Sequence, residues 1–245
     1  MSSLSTASQM SLDLRDAYKK TLLSHDLTAM SAKRTEYSGL FLPAAQPEFL
    51  HASFKVMLVG QETKGGFGKL EGFLNARDEG RVDEYLQKRY ALYGGYREKK
   101  PGKSRFGQFL RMCERELNLP SRAVHWSNLF ACDFKRKTPR HRPTSELSEL
   151  LRLSGELLSL QIEHLKPDAI LFTTGPQYDR FLREIVGKLG GVEASHRVVP
   201  RKLWTFSVRG IPCFRTTHPR YGSDNSHRGD ALSRIRNLQR QAAVA

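Results

Sequence analysis

The sequence predicts an α/β chain, a central, mostly parallel sheet of four strands covered by helices on both faces to make three layers. Three observations predict it. Short apolar, β-branched runs alternate with longer segments of helical period, in the order strand, helix, strand, helix, strand, helix, strand. Each run ends at Gly, Pro or polar residues, as a buried strand does. The segments between them are long enough to cross back over a sheet, which parallel strands require.

The elements follow in order. Residues 1–10 are Ser-rich, with neither a basic start nor an apolar stretch, and are expected to be a disordered tail rather than a secretory signal. From Ser11 to about Leu27, Leu12, Leu14, Ala17, Tyr18, Leu22 and Leu23 share one broad helical face. Phe54 to Val59 forms the first strand, closed by Gly60. The Gly-rich stretch from Gly65 to Gly72 is a loop, and Arg81 to Tyr96 and Phe106 to Leu117 are helices around the basic segment Arg97 to Arg105. Ala123 to Phe130 is the second strand, followed by the most basic loop, Lys135 to Arg142. Thr144 is placed as the N-cap of a long helix to Leu165. Asp168 to Thr173 is the third strand, and Gly175-Pro176 opens a helix to about Leu189. Arg197 to Phe206 is a turn or short hairpin, Ile211 to Thr217 the last strand, and Gly229 to Gln241 the closing helix. No linker divides residues 11–245, so they are expected to form a single domain.

Forty Lys plus Arg against twenty-five Asp plus Glu leave a formal charge of +15, an excess that attracts polyanions and points to nucleic acid. The longest apolar runs fall far short of the ~20 residues of a membrane span. Cys113, Cys132 and Cys213 are odd in number and far apart, which gives no disulfide framework and no CxxC pair and fits a reducing cytoplasm. Three thiols also cannot supply the four that an iron–sulfur cluster takes.

In parallel sheets ligands bind beyond the carboxyl ends of the strands. There this chain places Gln61 and Glu62, then Asn128 with Asp133 just beyond it, then Thr217-His218-Pro219. A carboxylate, a carboxamide and an imidazole thus fall at the positions where the fold gathers side chains. VGQET (Val59–Thr63) resembles the water-activating motif of uracil-DNA glycosylases, HWSNLFA (His125–Ala131) their base-reading strand, and THPR (Thr217–Arg220) their His-Pro-Ser loop. Glu62 stands where that family has Asp, the family's following Pro-Tyr is absent, and Pro-Arg-Tyr follows His218 in place of Pro-Ser.

The resemblance implies an enzyme that hydrolyses the N-glycosidic bond of a flipped, damaged or deaminated base, without metal or cofactor, acting as a monomer on DNA or on RNA. Glu62 would steady the cationic sugar and orient water. His218 would stabilise the oxyanion on the leaving base, and Asn128 with Gln61 would read its edge. Phe73, or else Phe67, would stack on it. Lys135, Arg136, Lys137, Arg140, Arg142, Arg215, Arg220 and Arg228 would form a phosphate-binding rim.

Two further classes remain open. The departures from the family pattern fit a glycosylase-like protein that binds nucleic acid without cutting it. Glu62-Thr63-Lys64 also matches the E-x-K half of a metal-dependent nuclease motif, which would draw its other carboxylate from Glu48. Gly60-x4-Gly65 is no P-loop, since Gly66-Phe67 replace the phosphate-gripping Lys-Ser/Thr, and no G-x-S-x-G is present.

Overall fold

A computed structural model describes residues 6–100, 102–221 and 226–244. The helices and strands in chain order are α1 (Thr6–Ser24), α2 (Thr28–Ser31), α3 (Pro47–Leu50), β1 (Val56–Gly60), α4 (Leu70–Asp78), α5 (Val82–Glu98), α6 (Arg105–Glu116) and β2 (Val124–Asn128). They continue with α7 (Thr144–Leu165), β3 (Ala169–Phe172), α8 (Asp179–Gly187), β4 (Glu193–Val199), β5 (Leu203–Val208), β6 (Ile211–Arg215) and α9 (Ser226–Ala242). The chain is of the α/β class.

The chain gathers into two compact units, each built from three separate stretches. The first takes residues up to Ala44, Gln61–Glu98 and Asn128–Leu165; the second takes Ala45–Gly60, Lys99–Ser127 and Lys166 onward. Because the stretches interleave, no single cut in the sequence separates the two.

The first unit is helical. Leu14, Tyr18 and Leu22 of α1, one turn apart, are fully buried, and α1 packs on α7 and α5. Leu12 and Leu23 stay exposed, so the apolar face is narrower than the sequence suggested. The first five residues of the expected tail lie outside the described residues, while residues 6–10 are helical. Helix α2 has no side-chain cap of its own. Glu149 of α7 accepts instead from the N–H groups of Ala29 (2.7 Å) and Met30 (2.9 Å), which satisfies the exposed donors of its first turn. The loop expected from Gly65 to Gly72 gives way at Leu70 to helix α4. Leu70, Phe73 and Leu74 are its buried face, and the neighbouring glycines hide that periodicity.

The second unit carries the sheet, with strand order β2-β1-β3-β6-β5-β4. Strands β1 and β3 pair in parallel (Val56 opposite Ala169), as do β3 and β6 (Ile170 opposite Cys213), so their carboxyl ends leave one edge. Strands β4, β5 and β6 are antiparallel neighbours. The sheet therefore has six strands rather than the four expected. The addition is the β4–β5 hairpin. All side chains of β4 are exposed or half-buried, so no alternation marked it as a strand. Thr144 is the first helical residue of α7 rather than its cap. Cys113, Cys132 and Cys213 are free and buried, and burial pushes all three thiols well above their ordinary pKa.

Candidate functional site

Within the second unit, the carboxyl ends of β3 and β6 open onto a cavity of about 360 Å³, room for a nucleoside-sized group. Thr174, Gly175 and Gln177 line it beyond β3, Thr217 and His218 beyond β6, and Arg201 with Lys202 from the β4–β5 turn. Thr216 N donates to Phe172 O (2.8 Å) and Gly175 N to Thr216 O (2.9 Å), so the two walls continue the sheet's pairing past the strands. Gly175 has φ +77°, a conformation that favours glycine, which lets the chain turn sharply into Pro176.

His218 lies among aromatic rings. Phe106 stacks near-parallel to it at 6.2 Å and also meets Trp126 at 5.3 Å, while Tyr221, 57% exposed, approaches edge-on at 6.0 Å. Its Nδ1 accepts from Arg220 N at 3.1 Å. An imidazole nitrogen that accepts carries no proton, so in this geometry the N–H of the neutral ring is at Nε2. Behind the loop, Thr217 Oγ1 bonds His227 Nε2 (2.7 Å) and accepts from Arg228 Nη1 (2.9 Å), which pins it to the first turn of α9.

Beneath the cavity, Arg215 is fully buried. Its Nη2 donates to Asp179 Oδ2 at 3.0 Å, its Nε lies 2.8 Å from Oδ1, and its Nη1 donates to Arg201 O at 3.0 Å. Burial lowers the guanidinium's pKa from its ordinary value, and the Asp179 carboxylate opposes that.

In the first unit the loops that carry Glu62 and the basic cluster share one anchor, Asp133, which is 1% exposed. Its Oδ2 accepts from Gly65 N (2.5 Å) and Thr63 Oγ1 (3.3 Å), and its Oδ1 from Arg136 N (2.7 Å). Its backbone N donates to Ser38 Oγ and its O accepts from Ser38 N, both at 2.9 Å. Phe130 N donates to Gln61 O at 2.9 Å, which joins the two loops a second time. Gln61 and Glu62 are half-buried, and Asn128 is buried at 6% exposure.

Phe134 and Lys137 bond each other across a tight turn, N–H to C=O at 3.0 and 2.9 Å, with Lys135 and Arg136 at its tip. Both tip residues have positive φ, 50° and 61°, where Asn-Gly is the usual pair. Lys135, Arg136 and Lys137 are exposed, Lys135 with Glu36 at 2.7 Å.

Several expected site residues are elsewhere. Phe73 is fully buried in α4 against Tyr85 at 5.5 Å and offers no face to a base. Phe67 is buried with its ring edge-on to Phe41 at 5.0 Å. Arg215 is in the core rather than on a rim, and Arg228 is a buried clamp on Thr217. Arg142 holds Glu146 with two hydrogen bonds, at 2.9 and 3.0 Å, and lies 3.8 Å over the Phe134 ring. Arg140 is half-buried beside His141, and Arg220 is exposed. Glu48 is ion-paired with Arg122. Among the described residues no three His, Cys, Asp or Glu side chains gather as metal ligands.

The sequence reading missed Gln177, Arg201, Lys202, Phe106 and Tyr221. Gln177 was within reach, because Gly175-Pro176 marks the end of β3 as surely as THPR marks the end of β6. Also among the described residues, no helix is long and apolar enough to cross a membrane. No family model matches this chain, and no curated protein matches it.

Proposed function

We propose that this protein is a nucleic-acid base-excision enzyme of the uracil-DNA glycosylase kind, with His218 in its base pocket. One observation carries the reading: an imidazole set among aromatic rings in a cavity at the carboxyl ends of β3 and β6, with cationic side chains on its wall. A flipped base needs a face to stack on and a donor for the oxygen that gains charge as the base departs. His218, with Nδ1 occupied by Arg220 N, would offer Nε2–H as that donor. Tyr221 or Phe106 takes the stacking role first given to Phe73. Glu62 is assigned to the sugar cation and its water, and Asn128 to the base edge. The reading carries with it the three-layer arrangement of the family. It also takes the protein for a monomer in a reducing cytoplasm, with DNA as partner and RNA sharing the same backbone chemistry. Three separate, buried free thiols support the compartment, and a formal charge of +15 supports the nucleic-acid partner.

A second reading, nucleic-acid binding without hydrolysis, is favoured by Glu62, one methylene longer than the family's Asp, and by the altered residues that follow His218. One experiment separates the two. Labelled oligonucleotides carrying uracil, hypoxanthine, xanthine or an oxidised pyrimidine are incubated with the protein in EDTA, then treated with hot alkali to reveal abasic sites. Strand scission at one modified base, lost in Glu62→Gln with binding retained, is the expected result. Binding without scission at any base leaves the second reading. Scission that survives Glu62→Gln overturns the role given to that carboxylate.

A further inference from the structure

We propose that the tip of the β4–β5 hairpin, Arg201 with Lys202, is a phosphodiester-binding arm on the wall of the His218 pocket. The inference rests on reading that pocket as a nucleic-acid site.

Pro200, Arg201 and Lys202 form one wall of the cavity, and among the described residues none of those lining it is acidic. The turn is tight, with Lys202 N donating to Val199 O at 3.0 Å and Arg201 at φ 61°. Both cationic residues are exposed. A fork of N–H donors beside a point charge is the pairing that grips phosphate oxygens.

The backbone beneath these side chains is held from the core. Arg215 donates to the carbonyl of Arg201 while its other nitrogens meet Asp179, the first residue of α8. Arg197 of β4 donates to the same carboxylate at 3.0 Å. Trp204 of β5 has the guanidiniums of Arg197 and Arg183 at 4.1 and 4.9 Å from its ring. One buried ion pair thus ties together the three segments that wall the cavity: the end of β6, the start of α8 and the hairpin turn. Apolar residues would fill the same space at lower desolvation cost. What the pair adds is a fixed position for the turn, and a cation on a pre-set backbone loses less freedom when it binds. Phosphate contacts of this kind set the register of a strand while the pocket reads the base.

The test measures the salt dependence of binding with a fluorescent oligonucleotide, as duplex and as single strand, for the wild-type chain and the double variant Arg201→Asn/Lys202→Ala. Asn tolerates the positive φ at 201, so the turn is kept. Each lost phosphate contact reduces the slope of log K against log salt by about 0.9 for duplex and about 0.7 for single strand. The expected drop is therefore about 1.8 or about 1.4 in the form the protein uses. Lys188→Ala/Arg209→Asn removes the same charge at the opposite end of β6, again with Asn at a positive φ (51°), and is expected to leave the slope unchanged. An unchanged slope in the tip variant, in both forms, overturns the arm while leaving the pocket reading intact. An equal drop in the control also overturns it, since net charge then explains the loss. If the wild-type chain binds neither form, the nucleic-acid reading itself fails and the arm goes with it.

Discussion

Replacing Asp133 by Asn changes one buried oxygen into an NH2 group, and no orientation of the amide suits its neighbours. Both carboxylate oxygens are acceptors of backbone N–H groups, Oδ1 from Arg136 and Oδ2 from Gly65. In Asn one of those N–H groups must face another donor. The Gly65 bond is the shorter, at 2.5 Å against 2.7 Å, and the same oxygen also serves Thr63. The amide is therefore expected to keep its oxygen toward Gly65 and turn its nitrogen on Arg136. Loss of a charge-assisted bond and of the partner of a part-buried N–H amounts to roughly 2–3 kcal/mol. In urea, with a slope near 3 kcal/mol/M, the unfolding midpoint falls by about 1 M. The basic turn at 134–137 loosens first, so its amides should exchange hydrogen faster than those of the Gly65 loop. A midpoint within about 0.2 M of wild type at unchanged slope would refute the claim that Asp133 is the anchor of both loops.

Two further outcomes follow from other parts of the chain. Burial alone would raise the pKa of Glu146, but hydrogen bonds from Arg142, Lys33 and Tyr37 hold it at about 2. A depressed folded-state value gives stability that is complete above the ordinary carboxylate range and lost as pH falls through about 2. The shift from 4.5 corresponds to roughly 3 kcal/mol, so thermal unfolding should decline between pH 5 and pH 2, and Glu146→Gln should flatten that decline. At the strained turn, Lys135→Asn with Arg136→Gly suits the positive φ values and should raise stability by about 1–2 kcal/mol. The same variant should lower the salt slope of nucleic-acid binding; a more stable protein with unchanged slope would mean the turn touches no phosphate.

Strand positions were legible because burial on both faces leaves an unbroken apolar run, as in Val56 to Val59 and Ala169 to Phe172. His218 was legible for a related reason: once the strands are placed, the residues just past them are fixed by chain continuity. Helix α4 was not, since Gly65, Gly66, Gly68 and Gly72 break the pattern that Leu70, Phe73 and Leu74 complete. Strand β4 was not, because an edge strand with no buried face has no period to show.

Charge was the least legible property at the level of single residues. A basic side chain in a sequence looks alike whether water, a phosphate or a carboxylate faces it. Arg215, Arg228 and Arg142 all read as rim cations, yet each is held by partners inside its own unit. Asp179 stands 36 residues from Arg215, and no spacing rule joins them. The sequence by itself determined the α/β class, the strand ends and the excess of positive charge, because periodicity, chain continuity and composition are local or summed quantities. Only the tertiary structure decided which cations are buried as braces and which stand exposed, because burial and pairing depend on what distant segments of the chain bring alongside.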